Sequence, residues 1–182
     1  MSFQLVVLFG RPAVGKLTIG RHLAERTGFR LYHNHLAFDL ALSLFKFGSP
    51  EFTDLREEVW LSSLVRAASS DLSGVIFTFT PERTVRDTFI PTLQERVDGA
   101  GGLVHFVELT CAPDELHRRL IQPDRAKYAK LRTIAKYEMF EAQGGFDRPS
   151  MPGPDYLVET THVSADEAAE SIAGFLSGRA PA

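Results

Sequence analysis

From Gly10 to Thr18 the chain reads Gly-Arg-Pro-Ala-Val-Gly-Lys-Leu-Thr, and no other stretch constrains its fold and chemistry as tightly. The run Phe3–Phe9 before it is apolar except for Gln4 and has the length of a strand. After it, Leu17, Gly20, Leu23 and Ala24 begin a helical pattern. A strand that turns through such a loop into a helix aims successive backbone N–H groups at one point, beside the positive end of the helix dipole. Glycine at 10 and 15 permits that turn, and Lys16 adds a compact mobile charge suited to terminal phosphates. Gly10, Pro12, Ala13, Val14, Gly15, Lys16, Leu17 and Thr18 are therefore expected to bind nucleotide phosphates. Spacing alone is compatible with an ordinary strand-to-helix turn bearing a surface lysine; the strand before and the helix after favour the phosphate site. Position 17 is Leu, where many such loops carry a Ser or Thr that ligates magnesium, and Thr18 comes one place later. Mg²⁺ is expected on phosphate oxygens and water, with or without a remote carboxylate.

Strand and helix patterns alternate along the remaining chain, which predicts an α/β fold with a parallel sheet and helices on both faces. Expected strands are Gln4–Phe9, Phe29–His33, Val75–Thr80, Leu103–Leu109 and Tyr156–Thr160. Expected helices run from Gly15 to Arg26, capped by Gly28, and from about His35, capped by Asn34, with Leu36, Phe38, Leu40 and Leu44 as apolar anchors. Another is capped by Thr53 or Asp54 and anchored by Leu55, Val59, Leu61, Leu64 and Val65. Thr84–Val97 reads as a helix bent at Pro91. Pro113 opens a helix that Pro123 interrupts, and Ser164 with Glu167 forms a capping box for the last one. The 182 residues suffice for one domain with a substantial core. The net charge of −3 argues against a general nucleic-acid or membrane-surface binder, so a nucleic-acid partner is not expected. A single cysteine, Cys111, fits a reducing compartment and reads as a packed or partly exposed thiol. No basic segment precedes the first apolar run and no apolar stretch is long enough to span a bilayer. A cytoplasmic protein, monomer or homodimer, is the expectation.

Two further regions carry candidate chemistry. Between His117 and Lys136 stand seven basic side chains against the single Asp124, a segment able to close over phosphates as a lid at about 122–133. Arg125, just past a helix end, is the candidate to bridge donor and transferring phosphate. Arg118 or Arg119 is the candidate to stack on adenine. The alternative for all three is a solvated basic helix face. His33, Asn34 and His35 follow the second strand, where open α/β sheets place ligands, and are expected to contact substrate. His35 and Asp39 are spaced i, i+4 and so share a helix face; either is a candidate base for a substrate hydroxyl. The plainer alternative has Asn34 as a cap and the histidines bonded to backbone. No further ligands accompany these histidines, and no protein metal site is expected. Arg56, one turn before Trp60, is either an anchor for an anionic acceptor or an exposed helix charge. No Asp or Glu occupies Val75–Thr80, and Glu82 lies just beyond Pro81.

Gly-Arg-Pro-Ala-Val-Gly-Lys-Leu-Thr (10–18) resembles the phosphate loop of adenylate kinases, which have Gly at the place of Leu17. From Phe3 to about Leu176 the order of elements is similar to that of the phosphate-loop kinases of small molecules, including nucleoside monophosphate, shikimate and gluconate kinases. Pro-Ala-Val-Gly-Lys-Leu-Thr (12–18), His-Asn-His (33–35) and Ile-Phe-Thr-Phe (76–79) resemble a group of shikimate-kinase-like bacterial proteins. The resemblance implies the three-layer phosphate-loop nucleoside triphosphate hydrolase fold, with five parallel strands in the order 2-3-1-4-5. It also implies an acceptor-binding region at about 33–70 and an arginine-bearing lid. The chain departs from shikimate kinases where His33, Asn34 and His35 replace an acidic residue, and where Arg125 is not followed by an Arg-Pro pair.

These readings converge on a kinase that passes the γ-phosphoryl group of ATP, with Mg²⁺, to a small-molecule hydroxyl or phosphate acceptor. Lys16, Arg125, Asp39 and His35 are its candidate catalytic residues. A nucleotide sensor or slow ATPase is the first alternative, favoured by the missing acid on the central strand. A nucleic-acid end kinase using the basic segment is the second.

Overall fold

The computed structural model describes residues 2–122, 133–147 and 151–178. Five strands, β1 (Gln4–Phe9), β2 (Arg30–His33), β3 (Gly74–Phe79), β4 (Leu103–Thr110) and β5 (Tyr156–Glu159), form one sheet in the order β2-β3-β1-β4-β5. Every adjacent pair is parallel. The helices are α1 (Lys16–Thr27), α2 (His35–Leu44), α3 (Pro50–Ala68), α4 (Phe89–Gly99), α5 (Pro113–Leu120), α6 (Ile134–Ala142) and α7 (Ala165–Gly178). The sheet order and the two helical layers are those that the resemblance implied.

Strand β1 shows why the sheet is covered on both faces. Successive side chains of a strand point to opposite faces, and here both sets are apolar. Leu5, Val7 and Phe9 enter the core formed with Trp60, Phe77, Phe79, Phe89 and Leu93. Val6 and Leu8 enter the core formed with Ile19, Leu23, Leu109, Leu116 and Ile172. Leu5 through Leu8 are completely buried, each contributing about 1.5–3 kcal/mol on transfer from water. A continuous apolar run is the mark of a strand in the middle of a parallel sheet.

Several local expectations are met. Gly28 takes the left-handed conformation (φ 74°) after α1 and donates its N–H to Ala24 O. The Ser164–Glu167 box closes reciprocally: Glu167 Oε2 accepts the Ser164 N–H at 2.9 Å, and Ser164 Oγ accepts the Glu167 N–H at 3.2 Å.

Others are corrected. Helix α3 starts at Pro50, with Ser49 as its cap accepting from Phe52 N, and not at Thr53 or Asp54. Proline fits the first helical position because its missing N–H has no partner there anyway. The anchors of α3 are Phe52, Arg56, Trp60, Leu64 and Ala68, while Leu55, Val59, Leu61 and Val65 are only partly buried. In α2 the buried residues are Ala37 and Ala41, and the expected anchors Leu36, Leu40 and Leu44 face outward. Small side chains let α2 lie close to α3, which leaves the leucines outside. Helix α4 begins at Phe89, so Pro91 sits in its first turn and bends nothing. Residues 82–86 are instead held by carboxylates: Glu82 Oε2 accepts the Thr84 N–H at 2.9 Å, and Glu57 Oε1 accepts the Arg86 N–H at 2.8 Å. Asn34 adopts helical angles and makes no capping bond to α2. Helix α6 has no clear apolar period; only Tyr137 of it is buried, so the sequence does not announce it. The expected lid, including Arg125, falls almost entirely on residues outside the described ones.

Candidate active site

The loop after β1 has the shape its glycines permit. Gly10, Ala13 and Gly15 all take positive φ, at 146°, 72° and 103°. At Gly10 space is decisive as well, because a Cβ there would stand 2.3 Å from the carbonyl oxygen of Leu109 on the neighbouring strand. Gly10→Ala is expected to deform the loop against β4 and lower the melting temperature, which a thermal melt of both proteins checks. Gly15 O accepts the Ile19 N–H at 2.9 Å, the first bond of α1. The N–H groups ahead of it have no helical acceptor and suit an anion. Lys16 Nζ folds back on the loop and donates to Gly10 O and Arg11 O, each at 2.7 Å.

A second layer of contacts fixes this loop. Thr160, at the end of β5, places its hydroxyl 3.0 Å from Val14 O and 2.8 Å from Thr110 O. Arg119 grips Thr160 from outside, donating to its Oγ1 at 3.1 Å and its carbonyl at 2.6 Å, while its Nε reaches Glu115 Oε1 at 2.6 Å. Arg118 binds the other side of the same carboxylate and is exposed. The expected Arg118/Arg119 pair is thus divided: Arg119 lines the cleft beside the loop, and Arg118 does not. Hydrogen bonds from Arg118 and then Arg119 hold the Glu115 carboxyl at a pKa of about 2, against an ordinary 4.5. A depressed carboxylate stabilises the fold fully above its unfolded value and loses that contribution as pH falls toward its folded one. Glu115→Gln should therefore flatten the stability–pH curve between about pH 4.5 and 2, a difference that thermal melts of both proteins across that window would reveal.

Arg11, which the sequence did not single out, ties the phosphate loop to α6. Its guanidinium donates to Tyr137 Oη at 3.2 Å, pairs with Glu141 and lies over the Phe146 ring. The cue was present as a basic side chain inside the loop, but its partners lie more than a hundred residues away.

The other end of the cleft is built around the end of β2. His33 is paired with Thr78 in the sheet. Thr78 Oγ1 accepts the Asn34 N–H at 3.2 Å and donates to Asn34 Oδ1 at 3.3 Å, and Trp60 Nε1 donates to Asn34 O at 3.2 Å. Asn34 is thereby a strand-to-strand clamp. The rings of His33 and His35 stack at 5.1 Å, and His35 Nδ1 lies 3.5 Å from Asp39 Oδ1, the contact that i, i+4 spacing predicts. His33, Asn34 and His35 line the cleft; Asp39 stands behind His35.

Arg56 is where the structure departs furthest from expectation. It is not an exposed helix charge: only 1% of it is accessible. It donates to Glu82 Oε1 at 2.8 Å, to Thr84 Oγ1 at 2.9 Å and to Thr84 O at 2.8 Å. The rings of Trp60 and Phe52 cover its faces at 4.7 and 5.0 Å. Arg56 lines the cleft, with its positive charge matched by Glu82. Burial pushes the neighbouring Glu57 carboxyl up, against the opposing pull of the Arg86 N–H and the Arg56 charge.

Both ends belong to one cleft of about 680 Å³, lined by residues 12–19 on one side and by His33–His35, Trp60, Thr78 and Thr80 on the other. The loop suits phosphate oxygens. For Mg²⁺ the chain offers less: Leu17 has no ligating atom, the lining carboxylate Glu82 is held by Arg56 and Thr84, and no group of three His, Cys, Asp or Glu able to hold a metal occurs among the described residues. A metal here would be carried on nucleotide oxygens and water.

No family model matches the sequence, and no curated protein matches it. Solved structures do match its shape. A shikimate kinase from Acinetobacter baumannii, in complex with shikimate, superposes at a TM-score of 0.60 with 21% identity, over 97% of this chain and 95% of that one. The APS kinase of Mycobacterium tuberculosis, solved with AMPPNP and APS, gives 0.65 with 13% identity over 97% and 98%. This chain has the fold of the phosphate-loop small-molecule kinases. A sugar kinase from Janibacter sp. HTCC2649 adds a TM-score of 0.59 at 18% identity over 97% and 95%. At such identities the likeness is one of fold. Among the described residues of this kinase fold, no helix is long and apolar enough to cross a membrane.

Proposed function

We propose that this chain is an ATP-dependent phosphotransferase acting on a small molecule in the cytoplasm. One observation carries the reading. A single cleft is lined both by the phosphate loop, Pro12 to Ile19, and by the polar group His33, Asn34 and His35 at the end of β2. A protein that only held nucleotide would need the first wall and not the second.

In this reading the loop amides and Lys16 bind the β- and γ-phosphates and stabilise the charge that spreads over the transferring group. Lys16 exchanges its two loop carbonyls for phosphate oxygens. Arg119 and Thr160 hold the loop rigid from behind, so that little reorganisation accompanies the transfer. His35, oriented by Asp39, accepts the proton of the acceptor hydroxyl. Arg125, outside the described residues, is proposed to arrive with the lid and exclude water. Mg²⁺, when bound, neutralises phosphate charge.

The test is ADP release from ATP·Mg²⁺ across a panel of hydroxyl and phosphate acceptors, with thermal shift as the parallel readout. Acceptor-dependent release supports the proposal. ATP stabilisation with release that no acceptor accelerates would instead favour a sensor or slow ATPase. Within the same assay His35→Gln is expected to lower kcat by about 10²-fold or more, with the acidic limb of the pH–rate profile lost.

A further inference from the structure

We propose that the acceptor is an uncharged alcohol built on a planar ring, taken by ring contact and not by charge; the inference rests on the phosphotransferase reading and names its substrate class. Five aromatic side chains, Phe38, Phe47, Trp60, Phe140 and Phe146, line the cleft. They are not scattered. The His33–His35 stack continues into Phe38, whose ring lies 5.1 Å from that of His35, and then into Phe47 at 6.0 Å. Phe140 and Phe146 form a second pair at 4.9 Å, fixed by Arg83 over one ring and Arg11 over the other. Polar residues near the end of β2 are few and convergent, which is the composition of a site for an apolar body bearing an oriented hydroxyl. Planar rings gain more from such walls than acyclic polyols do, through stacking and edge contacts.

Charge points the same way. The described lining arginines and lysine are Lys16, Arg21, Arg56 and Arg119; Arg21 is an exposed residue of α1, and buried Arg56 has Glu82, which also lines the cleft, 2.8 Å from it. An acceptor carboxylate or phosphate beside Arg56 would meet a pair whose charge is already balanced, which offsets little of its own desolvation. Lys16 and Arg119 are engaged with the loop and with Thr160. This balance concerns the described residues; Arg125, Lys127, Lys130 and Arg132 lie outside them. In the transfer the hydroxyl oxygen forms the new P–O bond and the β,γ-bridging P–O bond breaks. ADP leaves with that electron pair, and the hydroxyl proton passes to the His35 imidazole.

The experiment compares matched ligands on the full chain saturated with AMPPNP·Mg²⁺, by calorimetry and by the fluorescence of Trp60, the one tryptophan of the protein and a lining residue. Phenyl β-glucoside is set against gluconate, and thymidine against thymidine monophosphate. The neutral ring compound of each pair is expected to bind about tenfold tighter or more, and to perturb Trp60. Equal or tighter binding of the anionic partners overturns the inference, as does failure of both neutral ring compounds to bind at millimolar concentration. Phe38→Leu, which keeps apolar volume and removes the ring, should weaken phenyl β-glucoside by about threefold or more; unchanged affinity counts against the assignment. The two readings fail separately. ADP release driven by gluconate or shikimate alone preserves the kinase and sinks the ring-bearing acceptor. Ring binding without ADP release from any acceptor preserves the pocket and sinks the kinase.

Discussion

Lys16→Ala is expected to lower kcat for phosphoryl transfer by about 10²–10³-fold while the protein stays folded. The side chain reaches forward from the first residue of α1 and is held by two carbonyls of its own loop, Gly10 O and Arg11 O. In the proposed phosphotransferase the larger effect is on the reaction, because the Lys16 ammonium would act beside the γ-phosphate, where charge develops. Lys16→Arg should not restore the rate, because a planar fork presents its donors differently from a compact ammonium. Steady-state ADP release measures the effect and a thermal melt measures the fold. Full activity in Lys16→Ala would refute the assigned role. A collapse of the melting temperature would show that the loop depends on the lysine structurally.

Arg56→Ala is expected to destabilise the fold by about 3–5 kcal/mol. The guanidinium is buried between the rings of Trp60 and Phe52 and makes three hydrogen bonds to Glu82 and Thr84. Its removal leaves the Glu82 carboxylate, itself only 12% exposed, without its cation, and opens a cavity beside two aromatic rings. The consequence travels, because the same residues shape the turn after β3. Glu82 holds the Thr84 N–H, and Glu57, 3.8 Å from Arg56, holds the N–H of Arg86. A control separates charge from packing. The double substitution Arg56→Met with Glu82→Gln removes both charges and keeps much of the volume, and should recover most of the loss. Urea denaturation of the wild type, Arg56→Met, Glu82→Gln and the double variant closes the cycle, with Arg56→Ala measured alongside. A double variant no more stable than Arg56→Ala would refute the claim that an uncompensated charge is the main cost.

The contrast between Lys16 and Arg56 shows what a one-dimensional reading reaches. The place of Lys16 was legible because everything that sets it is local: the strand before, two glycines within six positions, the helix after. The His35–Asp39 contact was legible for the same reason, since one turn of helix brings i and i+4 together. Arg56 was not. Its charge suggested solvent or a ligand, yet it stands on the buried stripe Phe52, Arg56, Trp60, Leu64 of α3, and what permits burial is Glu82, 26 residues away beyond the end of β3. Asn34 misled similarly: it occupies a capping position, but its carboxamide turns to Thr78 on the adjacent strand. The outward Leu36, Leu40 and Leu44 invert the rule that the larger apolar residues mark the inner face, because close approach of α2 and α3 favours Ala37 and Ala41 there.

The sequence by itself determined the alternation of strand and helix, the glycine loop and its lysine after the first strand, and the polar group His33–His35 at the end of the second. These follow from periodicity, glycine spacing and the direction of a helix, all of which act within a few residues. The tertiary structure alone decided the pairing of Arg56 with Glu82, the separation of Arg119 from Arg118, and the clamp of Arg11 onto α6. It also brought aromatic rings from α2, α3 and α6 into one cleft. Each of these depends on which distant segments meet, and only the packed sheet and its helices set those meetings.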